Sequence, residues 1–332
     1  MFNKNLCPYL ETKCSDISCP CAKYKAFLDV KNPTIINQEL AELGITSNMS
    51  RLEKILHIQS HFASRFHNIY NLSKETTDYW NKEYCICIED EIEEIFDYIQ
   101  LDDVQQPLKT DITELKKEVV DVLHFVLDNI ISGECNYIIL EQIFNFINKS
   151  SSIEDDNLSL EEKFIKFSNA ADKQHLTIFR FKDDVMRQNI NNNENVNKDN
   201  NIDKDNKDVL EQMFQLAINY LEKTFFIKRN THYNNFLQKW NFGNPKVKFN
   251  DVLRTITLRL LLINREIRQQ ISWKHWKKPN KEINYYKLYY VYYEMLKRFI
   301  ILAAFVFDDV DELINFYIRK NIENIRRQKY NY

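Results

Sequence analysis

The chain has 332 residues but only three glycines, Gly44, Gly133 and Gly243, and six prolines. Average glycine usage is roughly 7%, and three glycines this far apart cannot build a phosphate-cradling loop, a dinucleotide fingerprint or a nucleophile elbow. With 44% hydrophobic and 28% charged residues and a net charge of −3, the composition predicts an all-α helical bundle with no nucleic-acid footprint.

Residues 1–49 read as an N-terminal extension. Cys7, Cys14, Cys19 and Cys21 crowd its first part, but Cys19-Pro-Cys21 lacks the two-residue gap of a zinc knuckle. The segment therefore reads as a reduced tail. From Ser50 a helical period sets in: Leu52, Leu56, Phe62 and Phe66, then Ile88, Ile92, Ile95 and Ile99, then Leu115, Val119, Val122, Val126 and Ile130. These define a first helical half, 50–188. Residues 189–208 are polar and rich in Asn, with nothing to bury, and predict a disordered insert. A second half, 209–332, carries helical patterns from Val209, over Arg254–Ile271 and over Tyr285–Arg327, with breaks near Gly243-Asn-Pro245 and Lys278-Pro279. The tyrosine-rich stretch 285–293 predicts an aromatic helix–helix interface. Leu52-Glu-Lys-Ile-Leu is echoed by Leu210-Glu-Gln-Met-Phe, each opening its half. The expectation is an intrachain pseudo-dimer, present as a monomer or as a homodimer. No run reaches the ~18 apolar residues of a membrane span and no signal pattern opens the chain. A soluble, intracellular protein of cytoplasm or nucleus, without a membrane partner, is expected.

Two acidic pairs stand out, Glu91 with Glu94 and Glu118 with Asp121. Carboxylates at i, i+3 project from one side of a helix, and Pro107 between the helices lets the chain reverse and bring the pairs together. Four facing carboxylates repel one another unless a cation lies between them, and an all-oxygen donor set suits Mg²⁺ or Mn²⁺. The competing reading is a solvated acidic face.

Glu91-Ile-Glu-Glu94, followed by Glu118-Val-Val-Asp121-Val-Leu-His124-Phe125, resembles the dimeric, all-α type of dUTPase within the all-α nucleoside triphosphate pyrophosphatases. Gln59 is similar to that family's first-motif glutamine. Trp273-Lys-His-Trp276-Lys277 looks like its tryptophan-lysine motif, and Lys320-Asn-Ile-Glu-Asn324-Ile-Arg-Arg327-Gln is similar to its phosphate-binding block. The resemblance implies a Mg²⁺-dependent hydrolase of dUTP or a related nucleotide, yielding the monophosphate and pyrophosphate. Glu91, Glu94, Glu118 and Asp121 would hold the metal, with Mn²⁺ as the alternative. Gln59 would lie at the base pocket, His124 would shape a sugar pocket with Phe125 also in contact with substrate, Trp273, Trp276 and Lys277 would enclose the base and phosphates, and Lys320, Asn324 and Arg327 would neutralise the phosphates. Read without the resemblance, His124 equally fills a half-buried helix face, Trp273 and Trp276 pack a core, and the basic C-terminus is solvated.

The chain departs from that pattern in one respect above all. The position of the tryptophan-lysine motif after Glu94 is taken by Leu101-Asp-Asp, and the motif appears instead in the second half, after Ile263-Asn-Arg-Glu266. That half reads as a copy that has lost its carboxylates. Two alternatives stand beside the diphosphatase: a catalytically degenerate helical interaction protein, and a pyrophosphatase for another base.

Overall fold

With so few breakers, the described residues are nearly all helix. The structure, a computed structural model, describes residues 33–64, 74–99, 112–150, 158–173, 208–230, 239–243, 247–271 and 283–329. The helices are α1 (Pro33–Glu42), α2 (Arg51–Ala63), α3 (Lys74–Phe96), α4 (Ile112–Ser132), α5 (Tyr137–Ser150) and α6 (Leu160–Lys173), then α7 (Val209–Phe225), α8 (Phe249–Gln270), α9 (Tyr285–Val306) and α10 (Val310–Lys329). The fold is all-α. The four N-terminal cysteines and most of the Asn-rich stretch lie outside the described residues. Asp208, at the end of that stretch, belongs to the folded second half. α1, within the extension, packs on α10.

Local sequence sets the helix ends. Ser50 and Glu53 form a reciprocal capping box at α2, with Glu53 N–H donating to Ser50 Oγ at 3.2 Å and Ser50 N–H to Glu53 Oε2 at 3.3 Å. Asp208 caps α7 by accepting from Leu210 N–H at 2.9 Å, and its other oxygen accepts from Arg51 N–H at 2.8 Å. One carboxylate thus satisfies the first turns of two helices, one from each half. Gly44, at φ +74°, lies just past the end of α1, where only glycine enters the left-handed region without strain.

A two-stranded antiparallel hairpin was not foreseen. β1 (Ile227–Arg229) pairs with β2 (Trp240–Phe242). Its function in the fold is to close the C-terminal end of α9. Trp240 Nε1 donates to Phe305 O at 3.0 Å, and the buried Lys239 donates to Phe307 O while pairing with Asp308 at 3.2 Å. These donors satisfy carbonyls that the helix end leaves bare and place positive charge at its negative pole.

The packing has a repeated plan. α3 lies along α4 as α8 lies along α9, α2 packs on α4 as α7 packs on α9, and α10 meets α4 as α5 meets α9. α3 crosses α8 and α4 crosses α9 where the halves join. One constant shift aligns the buried positions of α3 and α8: Tyr84 with Ile256, Cys85 with Thr257, Ile88 with Leu260, Ile92 with Asn264 and Ile95 with Ile267. A second aligns α2 with α7, putting Leu52 on Leu210, Leu56 on Phe214 and Gln59 on Ala217. α9 is buried almost throughout, its tyrosines included, as an aromatic interface helix should be; Tyr290 meets the Phe167 ring at 5.5 Å. Among the described residues, no helix is long and apolar enough to cross a membrane.

Candidate functional site

The two acidic helices pack side by side because each carries an unbroken apolar stripe: Cys85, Ile88, Ile92 and Ile95 on α3, and Leu115, Val119, Val122 and Val126 on α4. The paired carboxylates sit at the edge of those stripes, so burying the apolar faces forces the acids together. Ligand oxygens of Glu91, Glu118 and Asp121 lie within 4.8 Å of one another, each side chain half-buried. Glu94 is exposed but hydrogen-bonds Glu118. All four residues of the two motifs therefore converge.

Their electrostatics follow from that crowding. Burial, then the charges of Asp121, Glu94 and Glu118, push Glu91 up to about 7, with Lys320 pulling the other way. Burial and then Glu94 push Glu118 up to about 7 as well. Anions held this close are the arrangement a hard divalent cation relieves. The donor set, carboxylate oxygen without thiolate or imidazole, fits Mg²⁺ or Mn²⁺.

Lys320 arrives from the other half. α10 packs across α4, and the Lys320 ammonium meets Asp121 Oδ2 at 2.8 Å. Asn324 is half-buried one turn further along α10. The Arg327 side chain, Trp273, Trp276 and Lys277 lie outside the described residues.

Gln59 occupies a different environment from an open base pocket. It is fully buried; its Nε2 donates to Asp128 Oδ1 at 2.8 Å, and its Oε1 accepts from the Tyr317 hydroxyl. Burial raises the Asp128 carboxyl to about 7, against the opposing effect of the Gln59 bond. This bridge ties α2, α4 and α10 together two turns from Asp121. His124 lies between the two levels, 4% exposed, its ring 4.9 Å from the Tyr317 ring. Neither ring nitrogen has a hydrogen-bond partner, and burial followed by the Lys320 charge lowers its pKa to about 3. His124 is thus a buried, neutral imidazole one turn from Asp121, packed between the Phe62 and Tyr317 rings.

Phe125 is half-buried at the end of an aromatic ladder. Its ring lies 6.4 Å from Tyr84, which stacks on Trp80 at 5.8 Å. Sequence reading passed over Trp80, Tyr84, Asp128 and Tyr317. Trp80 and Tyr84 share an i, i+4 spacing that could have been seen; the pairing of Gln59 with Asp128 spans 69 positions and left no local signal.

Comparison with known protein families, with curated proteins and with solved structures finds no match for this chain.

Proposed function

We propose that the chain is a divalent-cation-dependent nucleoside triphosphate diphosphatase, acting on dUTP or a related nucleotide to give the monophosphate and pyrophosphate. The observation that carries this reading is the convergence of Glu91, Glu94, Glu118 and Asp121 between α3 and α4, with Lys320 reaching them from the second half. Mg²⁺ or Mn²⁺ would be held by those carboxylates and would supply activation of water and neutralisation of phosphate charge. Lys320 supplies positive charge for the phosphate tail, with Asn324 and Arg327 further along α10. The resemblance assigns His124 and Phe125 to the nucleotide; they follow Asp121 on α4, His124 buried and Phe125 half-buried.

We infer further that the chain is a pseudo-dimer with one composite site. The repeated packing plan and the aligned registers of α2 with α7 and α3 with α8 support this, and the register puts Ile263 where the first half has Glu91.

A second reading, a degenerate interaction protein, is favoured by one observation: Gln59 spends both ends of its amide on Asp128 and Tyr317. If base recognition needs that glutamine, it is not free to give it. Pyrophosphate release from a panel of deoxynucleoside triphosphates with Mg²⁺ separates the readings. The diphosphatase predicts release that Glu118→Gln abolishes; no release from any nucleotide in the panel would support the interaction protein.

A further inference from the structure

Lys320 and a divalent cation have claims on the same carboxylate. Asp121 Oδ2 is bonded to the Lys320 ammonium at 2.8 Å, while an oxygen of Asp121 is also one of the three ligand atoms that lie within 4.8 Å of one another. The same ammonium lowers the charge burden on Glu91 and Glu118. It is carried on α10, from the second half, and its side chain is only partly buried at 23% exposure, so its tip can leave Asp121 without unpacking the helix. Tyr317, three positions earlier on α10, is fixed by the Gln59 hydroxyl–amide bond, so the helix stays in place while the lysine moves. His124, one turn from Asp121 on α4, is nine-tenths buried and has no hydrogen-bond partner among the described residues.

We propose that Lys320 is a tethered counter-ion that competes with the divalent cation for Asp121, so that cation entry releases the ammonium toward the phosphate tail. The inference rests on the diphosphatase reading and adds to it an order of events: the cation arms the phosphate site by freeing Lys320. An ammonium bonded to a carboxylate of the cluster opposes the cation there, and once displaced it is left to attract phosphate. The device therefore has a signature of opposite signs.

The test uses the full chain without nucleotide. Mn²⁺ binding is followed by electron paramagnetic resonance in the parent, in Lys320→Met, and in Lys287→Met as a remote control. Inorganic pyrophosphate binding to the Mn²⁺-loaded proteins is followed by calorimetry. A partly exposed ion pair is worth up to ~1 kcal/mol, so Lys320→Met should bind Mn²⁺ about three- to fivefold more tightly. It should bind pyrophosphate about tenfold more weakly, the loss of one charge-assisted contact. Lys287→Met should change neither. Mn²⁺ affinity in Lys320→Met that equals or falls below the parent's overturns the counter-ion role while leaving the metal centre standing. A parent with no saturable Mn²⁺ binding overturns both. Lys320→Gln, measured alongside with helicity checked by circular dichroism, separates loss of charge from loss of fold.

Discussion

In the first half, the pair α3–α4 carries Glu91, Glu94, Glu118 and Asp121 along the edge of its buried stripe. In the second half, the pair α8–α9 has the same packing and the same spacing of buried positions, with Ile263 in the register of Glu91. α9 adds tyrosines where α4 is edged with acids. The difference teaches what each arrangement costs. Clustered, half-buried carboxylates destabilise a helix pair unless something positive is brought to them, and here Lys320 is. An apolar edge needs no such help and can be buried outright. One half holds crowded acids at the expense of stability, and the other carries no such burden at the matching register.

The comparison can be broken most directly at the carboxylates. Glu118→Gln should abolish turnover, a loss of at least about 4 kcal/mol in transition-state stabilisation, while the fold survives, because removing one of several crowded anions relieves repulsion. Kinetics of pyrophosphate release with a parallel thermal melt check both halves of that statement. The reciprocal change should fail. Ile263→Glu puts an unpaired carboxylate at a position only 8% exposed, and should lower stability by about 3 kcal/mol. If urea unfolding shows Ile263→Glu as stable as the parent, the edge of the second pair tolerates a carboxylate and the contrast in cost between the two pairs fails. Where the halves cross, Gly133 approaches α9 so closely that a Cβ would lie 2.3 Å from the Tyr292 ring. Gly133→Ala should therefore cost about 2 kcal/mol by overpacking, and Tyr292→Phe should rescue little of it, since the ring itself and not only its hydroxyl is in the way.

How far the sequence carried can be judged from these same residues. The scarcity of glycine and proline and the spacing of Ile88, Ile92 and Ile95 were sufficient for an all-α fold with α3 and α4 in place, since helical period is written locally. The convergence of the two acidic pairs was legible for the same reason: the acids border stripes that had to pack. The hairpin was not legible, because β1 and β2 are three residues each and exist to close α9, a tertiary need without a local pattern. Gln59 shows the deeper limit. The resemblance set it beside a base pocket; its partners Asp128 and Tyr317 come from two other helices, and only the packed structure brings them to it.

The smallest expected effect is the sharpest test of why the acidic edge is costly. Glu118 has its pKa raised from 4.5 to about 7 in the folded protein, burial first and Glu94 next. Between those values the folded state holds a proton that the unfolded chain has released. Stability contributed by that proton is present at pH 4.5 and is lost as pH rises through 7. His124, lowered to about 3, acts in the opposite direction below pH 6.5, because the unfolded chain protonates it first. It is common to the parent and Glu118→Gln, so it cancels in their difference. Glu118→Gln should match the parent near pH 4.5 and exceed it above pH 7 by ~1 kcal/mol, discounted for the partial exposure of the group. Saturating Mg²⁺ should erase or invert that advantage, since a cation bound only by the folded parent adds stability that the variant lacks. A difference that stays flat from pH 4.5 to 7.5 would mean that the four acids do not burden one another, and that the contrast between the two helix pairs is one of composition without energetic consequence.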